Sequence, residues 1–430
     1  MTSEDVLRVE SEVGRHDGGA ALFSGPAGRR VVSVGSAVSA LVAMSVGLAP
    51  GAAGADVQSK QWYLKAMRAD AMWKVSTGQG IKVAVVDSGV AKTPSLEGRV
   101  HSGKDVTGQK GGVRDDYNGH GTTMAELIVG SGRGGGLKGL APGAEVISFR
   151  TSLSGFGKKE SDAAEAIRAA ADSDAQIISM SIGGDYLYPN EKEAVKYAAS
   201  KGKLMFAGVG NDAEEKNFVG YPAAYRNVVG VSAADKTGKV ARFSEFGDYV
   251  DLAAPGLDIP RWCDASFRSY CDNGGGGTSA ATALASASAA LIWSKHPDWT
   301  ANQVLRVLID TASRSWPKDK PSDYLGYGLV RPSWHLVKGQ GKPGPAGVDP
   351  LTNEKTPVVA GSSPSSSSKE SSARTSPPSK GSAGGEVAAS VSSSKSKDND
   401  NQLWIVVGAV AAAAVIGGGA FAVVRNRRSA

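Results

Sequence analysis

The sequence has few of the residues that staple small proteins together or bind metals: two cysteines and five histidines among 430 residues. That count excludes a disulfide-rich scaffold. No compact cluster of carboxylates has a ligand spacing that predicts a metal site, so we expect no cofactor. Apolar residues make up 41% of the chain, and 56 residues are glycine. The composition therefore indicates a glycine-rich globular protein and not a fibrous one.

A strong charge of one sign is also missing. The formal net charge is only +6, from 48 basic and 42 acidic residues. Much of this excess comes from a lysine-bearing segment near the C-terminus and from the arginines within 425–428. Nucleic-acid binding is instead signalled by basic residues clustered on a folded surface. We therefore expect no nucleic-acid partner.

The N-terminal region has the pattern of a secretory signal. Two arginines precede an uncharged apolar run, residues 31–49, and the small residues Ala53-Gly54-Ala55 follow it. A basic start, an apolar middle and a small-residue cleavage site define a signal peptide. We assign residues 1–55 to this region, with the mature chain beginning near Asp56. An uncleaved signal anchor is the alternative.

A second uncharged apolar run, residues 403–424, is about long enough to cross a bilayer as one helix. The basic residues Arg425–Arg428 follow it and mark the cytoplasmic side. Together with the signal peptide, this pattern predicts a single-pass protein of the cell membrane. Its main domain would be extracellular and residues 425–430 would form a cytoplasmic tail. A soluble core helix is the alternative.

The segment before this run, residues 338–402, is rich in serine, proline, lysine and glycine. Such a composition cannot bury enough apolar surface to offset the entropy that ordering would remove. We therefore predict a disordered linker over 338–402, between the main domain and the membrane.

The main domain, residues 81–337, follows an extension over 56–80 and alternates between two patterns. Continuous β-branched runs such as IKVAVVD, residues 81–87, are typical of buried parallel strands. Helical patterns at 161–173 and 190–202 lie between such runs. The alternation predicts an α/β fold with a doubly wound, mostly parallel sheet and helices on both faces.

Three polar residues fall at strand ends and helix starts, where such a sheet gathers its functional side chains. Asp87 ends the first strand, His120 begins a helix after a turn, and Ser279 opens a helix after four glycines. In a Ser-His-Asp hydrolase the His takes the serine proton and the Asp orients the imidazole. Each residue alone is weak evidence, because it also fits a helix cap, a satisfied polar group or a linker.

The sequence around these residues is more specific. The blocks VAVVDSGV, NGHGTTMA and GGGTSAATA, in the order Asp, His, Ser, resemble the active-site blocks of the subtilisin-like serine proteases. The likeness spans about Trp62 to Val337 and includes GLAPGAEVISFR, SMSIGG, AGVGND and FSEFGDYVDLAAPG. It implies a serine endopeptidase acting on proteins or peptides, with Asp87, His120 and Ser279 as the catalytic triad.

The resemblance also implies the remaining parts of the site. Asn211 would donate its side-chain amide to the oxyanion, with the Ser279 backbone N–H as the second donor. Ser181, Ile182 and Gly183 match the edge segment that pairs with an extended substrate. The family often binds structural calcium, but no calcium ligand can be assigned in this sequence.

Three positions depart from the family pattern without touching the triad. Ala283 stands where a proline is usual, Ala287 replaces a usual glycine, and Glu126 replaces a customary small residue near the histidine. Alanine is readily accommodated in the early turns of a helix, so we still expect an active enzyme.

The two cysteines, Cys263 and Cys271, lie shortly before the serine block. An even pair in an exported chain suggests a disulfide, which would stiffen the loop that leads to Ser279. Two free buried thiols are the alternative.

The order of the segments is similar to that of the mycosins, the membrane-anchored subtilases associated with type VII secretion. The extension over 56–80 is too short for a folded inhibitory prodomain, and residues 61–80 resemble the segment that wraps the catalytic domain. The resemblance implies components of a secretion complex as partners. A second function stays open, in which the protein is chiefly a structural partner of that complex and its proteolysis is weak or dispensable.

Overall fold

A computed structural model describes the protein over residues 57–152, 162–272 and 274–358. The signal region, the apolar run at 403–424, the tail at 425–430 and the linker beyond residue 358 lie outside the described residues. Within the described ranges, no helix combines the length and the apolar character that a membrane crossing requires.

The fold is built on one sheet of seven strands, in which every neighbouring pair is parallel. In chain order the strands are β1 (Lys82–Asp87), β2 (Val100–Asp105), β3 (Glu145–Arg150), β4 (Ile177–Met180), β5 (Leu204–Gly208), β6 (Val228–Ala234) and β7 (Leu252–Pro255). They lie side by side in the order β2-β3-β1-β4-β5-β6-β7. The chain therefore builds one side of β1 first and then the other, so β1 is the point at which the strand order reverses.

Eight α-helices are described around this sheet. They are α1 (Trp62–Ala66), α2 (Ala69–Trp73), α3 (His120–Val129), α4 (Ala163–Asp172), α5 (Pro189–Ser200), α6 (Thr278–Lys295), α7 (Ala301–Thr311) and α8 (Pro332–Leu336). A separate two-stranded antiparallel ribbon is formed by β8 (Arg261–Trp262) and β9 (Tyr270–Cys271).

The sheet has an apolar core on each of its faces because successive side chains of a strand point in opposite directions. In β1, Val83 and Val85 belong to the core that contains α3 and α6, whereas Ala84 and Val86 belong to the core that contains α4 and α5. Both faces are thus covered, as the uninterrupted apolar strands require. The predicted parallel α/β sheet with helices on both faces is confirmed.

Helix α6 is the central helix of the first core. Its residues from Ala280 to Trp293 are all buried, so the helix has no solvent-facing side along that length. Helices that are apolar all round lie inside a protein. Alanine is the commonest residue in α6, and its small side chain allows the helix to pack close to the sheet. The helix therefore fixes the height of Ser279, its second residue, above the sheet.

The segment before β1 packs along the domain and does not hang free. Tyr63 and Met72 are fully buried. The Gln61 side chain bonds both backbone groups of Lys138, at 2.8 and 2.9 Å. The Ser76 hydroxyl donates to the Leu291 carbonyl of α6 at 2.7 Å. The described part of the extension 56–80 is therefore continuous with the domain core.

The chain also stays attached to the domain beyond residue 337. Thr300 caps α7, and its hydroxyl donates to the Ala346 carbonyl at 2.9 Å. The Arg306 guanidinium donates to the Val348 carbonyl at 3.0 Å. These side chains hold a segment whose own composition is too polar to form a core. The described residues 338–358, at the start of the linker predicted over 338–402, are therefore attached to the domain.

Candidate active site

The three predicted triad residues lie on three different elements. Asp87 is the last residue of β1, His120 is the first residue of α3, and Ser279 is the second residue of α6. Functional sites of open α/β sheets lie beyond the carboxyl ends of the strands, where the strand order reverses. Because β1 is that strand, Asp87 is at the switch point of the sheet.

Asp87 and His120 are in direct contact. The Asp87 Oδ1 is 2.8 Å from the His120 Nδ1, and the Asp87 side chain is fully buried. Oδ1 also accepts a hydrogen bond from the backbone N–H of Ser88 at 2.7 Å, and the Ser88 hydroxyl oxygen lies 3.1 Å away. A carboxylate at Nδ1 requires the proton on that nitrogen, so the neutral imidazole has Nε2 free to accept a proton.

Two opposing effects set the pKa of His120. Burial lowers it, while the charge and the hydrogen bond of Asp87 raise it; the net direction is upward from the ordinary 6.5. The adjacent carboxylate therefore makes the imidazole a stronger base than a free histidine.

A second carboxylate holds the start of α3. Asp116 Oδ2 accepts the backbone N–H of Thr122 at 2.8 Å, and Oδ1 accepts the backbone N–H of Gly119 at 2.9 Å and the Ser88 hydroxyl at 2.8 Å. These contacts satisfy helix-start N–H groups that would otherwise lack partners. Sequence reasoning missed Asp116, although an aspartate shortly before a helix start is a recognisable capping signal.

Gly121 allows the close approach of β1 and α3. A Cβ at this position would lie 2.2 Å from the Gly89 carbonyl oxygen and 3.0 Å from the Asp87 Oδ1. Any side chain would therefore push α3 away from the strand and lengthen the Asp87–His120 contact.

Ser279 is partly exposed at the start of α6. Among the described residues, the Ser279 hydroxyl makes no hydrogen bond to His120. The Ser279 carbonyl accepts a hydrogen bond from the Ser181 hydroxyl at 3.3 Å. Gly276 in the preceding loop has φ 140°, and a Cβ there would lie 2.1 Å from the Gly256 carbonyl oxygen. Glycine is therefore required where this loop passes below the serine.

Asn211 follows β5 and is anchored by Thr278, the residue before the serine. Its amide oxygen accepts the Thr278 backbone N–H at 2.9 Å and the Thr278 hydroxyl at 3.2 Å. A backbone donor identifies the amide oxygen, so the NH2 group lies on the other, exposed side. Thr278 was not among the predicted site residues; only its position beside Ser279 signalled it.

The predicted substrate edge continues from β4. Ser181 is buried, Ile182 is partly buried and Gly183 is exposed. Gly184 then pairs with Tyr221 through two backbone hydrogen bonds of 3.0 and 2.8 Å. None of the described hydrogen bonds uses the backbone groups of Gly183, so these groups remain available to a ligand.

Cys263 and Cys271 form a disulfide, with Cα atoms 5.0 Å apart. They close the loop of the β8–β9 ribbon, which we call the disulfide hairpin (residues 261–271). The Trp262 backbone N–H donates to the Thr123 hydroxyl of α3 at 3.1 Å. The Trp262 and Tyr270 rings stack with centroids 3.8 Å apart. The hairpin is thus attached to the helix that begins with His120.

Glu126, a departure from the family pattern, forms the buried part of this attachment. Its two carboxyl oxygens accept the hydroxyls of Tyr270 and Thr93, each at 2.7 Å. Burial raises the pKa of Glu126 to about 7, against smaller lowering effects of its hydrogen bonds. The carboxyl joins α3 to the disulfide hairpin across 144 positions of sequence.

A metal centre is not evident in this part of the molecule. Over the described ranges, no three histidine, cysteine, aspartate or glutamate side chains lie close enough together to hold an ion.

Part of this chain is similar to known proteins. Residues 78–328 match the model of the subtilase family. The chain is 35% identical over 234 residues to the thermophilic serine proteinase of Bacillus sp. (strain AK1), a match that covers 53% of this chain and 55% of that protein. The chain thus spans little more than half the length of that relative.

Two solved structures are similar over most of their length. MycP1 from Mycobacterium smegmatis is 25% identical with a TM-score of 0.57, covering 66% of this chain and 86% of the other. The MycP3 protease from the type VII (ESX-3) secretion system is 29% identical with a TM-score of 0.55, covering 68% of this chain and 90% of the other.

Fold and site together are those of an α/β protein whose buried Asp87–His120 pair lies at the topological switch point of a parallel sheet. The family model narrows this class, because it covers more than half of the chain. The chain belongs to the subtilase family.

The buried Glu126 generates a prediction about stability. Its pKa is about 7 in the folded protein against an ordinary 4.5. Between these values the unfolded chain releases a proton that the folded chain retains, so stability falls as pH rises. The free energy of unfolding of wild type should fall between pH 5 and pH 8, and in Glu126→Gln this fall should be smaller by about 2 kcal/mol.

Urea unfolding of the two proteins at both pH values measures this difference. Glu215→Gln is the control, because it removes an exposed carboxyl and should leave the wild-type pH dependence intact. An equal pH dependence in wild type and Glu126→Gln would contradict the prediction.

Proposed function

We propose that the protein is a serine endopeptidase that hydrolyses peptide bonds through an acyl-enzyme on Ser279. The observation that carries the proposal is the buried 2.8 Å contact between Asp87 and His120, with Ser279 at the start of the neighbouring helix. A structural protein has no need for an imidazole made more basic by a buried carboxylate. Membership of the subtilase family supports the same activity.

In this mechanism the Ser279 Oγ attacks the scissile carbonyl and passes its proton to the His120 Nε2. Asp87 keeps the imidazole oriented and stabilises its charged form. The imidazolium then gives the proton to the leaving amine, and the acyl group stays on Ser279. Water activated by His120 releases the acyl group in a second addition and restores the free serine.

Two donors would stabilise the oxyanion. One is the NH2 of the Asn211 side chain, and the other is the backbone N–H of Ser279. The oxygen of the Asn211 amide is held by Thr278. Because Thr278 holds the amide before substrate binds, little reorganisation is needed as charge develops. The start of α6 adds the positive end of a helix dipole.

Ser181, Ile182 and Gly183 would pair with the acyl part of the substrate as an added strand. The exposed position of Gly183 supports this role. The substrate class is therefore an extended peptide or an unfolded segment of a protein.

We further propose that the enzyme is held on the outer face of the cell membrane by residues 403–424 and acts with components of a secretion complex. The uncharged run in the sequence and the similarity to the MycP3 protease of a type VII secretion system support this location. One observation favours the scaffolding function as second candidate: among the described residues, the Ser279 hydroxyl makes no hydrogen bond to His120.

A fluorophosphonate probe distinguishes the two functions. We expect the full-length protein to be labelled and mass mapping to find the probe on Ser279, because only an activated serine reacts. Ser279→Ala and His120→Ala should each abolish the label. A folded wild-type protein that is not labelled would contradict autonomous protease activity and leave the scaffolding function.

The oxyanion role of Asn211 predicts a kinetic effect. Removal of one preorganised donor lowers kcat by about 100- to 1,000-fold, while substrate binding in the ground state changes little. We expect this loss for Asn211→Ala on a peptide substrate, with KM within about threefold of wild type. Asn217→Ala is the control, because it removes an exposed asparagine whose amide bonds the Phe246 backbone and not Thr278. Equal kcat values for wild type and Asn211→Ala would rule the role out.

A further inference from the structure

The guanidinium of Arg261 lies above the glycine loop that leads to Ser279. A Cβ on Gly275 would be only 2.0 Å from the Arg261 Nη1, so the guanidinium fills the space that a side chain at 275 would take. Gly275 is four residues before the serine. Arg261 is exposed, and no carboxylate among the described residues lies within ion-pair distance of it. A cation without an ion-pair partner among the described residues therefore lies against the loop that leads to the proposed nucleophile.

The disulfide hairpin holds this arginine in place. Arg261 pairs with Cys271 in the ribbon, so its backbone is next to the disulfide. The Tyr270 hydroxyl is bonded to the buried Glu126 of α3. The guanidinium thus projects from a short ribbon that is fixed at both strands, which lowers the entropy lost when it binds a ligand.

The hairpin lies on the histidine side of the site. A Cβ on Gly119, the residue before His120, would be 2.9 Å from the Asp264 carbonyl oxygen of the hairpin. Burial and Asp87 dominate the pKa of His120, but Arg261 is near enough to lower it as well. The guanidinium and the imidazole therefore share one electrostatic environment.

The proposed acyl side of the substrate is bound by other segments. Ser181 contacts the Ser279 carbonyl, and Asn211 contacts Thr278. In acyl transfer the histidine protonates the leaving amine, so the residue after the scissile bond must lie next to the imidazole. The hairpin contacts α3 at Gly119 and Thr123, which flank His120 in the sequence, and Arg261 is the hairpin cation that lies against the loop before Ser279.

We propose that Arg261 is a specificity-determining residue that binds a substrate carboxylate on the leaving-group side of the scissile bond. This inference rests on the proposed protease function. The carboxylate is either the side chain of an Asp or Glu after the scissile bond or the C-terminal carboxylate of a substrate cut near its end. Arginine suits both, because its planar fork donates two parallel hydrogen bonds to a carboxylate.

The test compares matched peptides with the full-length enzyme. A sequence that wild type cleaves, found by mass mapping of digested casein, is resynthesised with Glu, Gln or Lys directly after the scissile bond. In a second pair of peptides, Gln directly after the scissile bond is the last residue, and its C-terminus is either a free carboxylate or an amide. We expect wild type to favour the carboxylate in at least one pair by about 5- to 10-fold in kcat/KM. The pair that shows the preference identifies the source of the carboxylate.

Three variants assign the preference to Arg261. Arg261→Ala should bring the ratio of kcat/KM for the carboxylate peptide over its neutral match to about 1, and Arg261→Lys should keep part of the preference. Arg261→Glu should favour the peptide with Lys over the peptide with Glu. The amidated Gln peptide lacks the charge, so it serves as the reference against which each variant's preference for a carboxylate is calculated. Arg268→Ala removes an exposed arginine from the same hairpin and should keep the wild-type ratio. The preference should also weaken in salt.

The failures of the two proposals differ. Wild type that cleaves peptides with no carboxylate preference, or a preference that survives in Arg261→Ala, would overturn the role of Arg261 and leave the protease function intact. Absence of both cleavage and fluorophosphonate label would overturn the protease function, and the role of Arg261 with it.

Discussion

The hydrogen bond between the buried Asp87 carboxylate and the His120 imidazole is the contact around which the described site is organised. The Asp87 Oδ2 has no hydrogen-bond partner among the described residues. Oδ1 alone accepts the hydrogen bonds from the imidazole and from the Ser88 backbone. Leaving a buried carboxylate without compensation is strongly destabilising. Strand β1 therefore has to deliver Asp87 to the start of α3, and Gly121 has to let the two elements approach.

The second half of the site depends on a different element. Helix α6 runs buried through the core and presents Ser279 at its exposed end, while Thr278 fixes Asn211 from the same turn. The proposed nucleophile and both proposed oxyanion donors are thus connected through the first two residues of α6. The disulfide hairpin contacts α3 through Glu126 and reaches the loop before α6 through Arg261. It therefore links the two halves, with a guanidinium at the junction.

Strands, helix starts and the residues that stand at them can be predicted from the sequence, because they depend on the pattern of neighbouring residues. The apolar runs indicate the parallel strands, and Asp87, His120 and Ser279 each stand at a strand end or helix start that the pattern marks. Contacts between distant positions leave no such pattern. Glu126 is only an unusual residue in its block until Tyr270 comes beside it. Residues 338–358 have the polar composition of a linker, because they are attached to the domain by side chains at the start and in the middle of α7 and not by apolar surface of their own.

Nuclear magnetic resonance of the His120 imidazole tests the central contact most directly. The full chain has five histidines, so histidine-selective ¹⁵N labelling gives few signals, and His120→Ala assigns the one of interest. We predict a low-field Nδ1 proton and a pKa above the ordinary 6.5, both lost in Asp87→Ala. A folded protein in which His120 titrates at or below 6.5, with no low-field proton, would contradict the assembled Asp87–His120 pair.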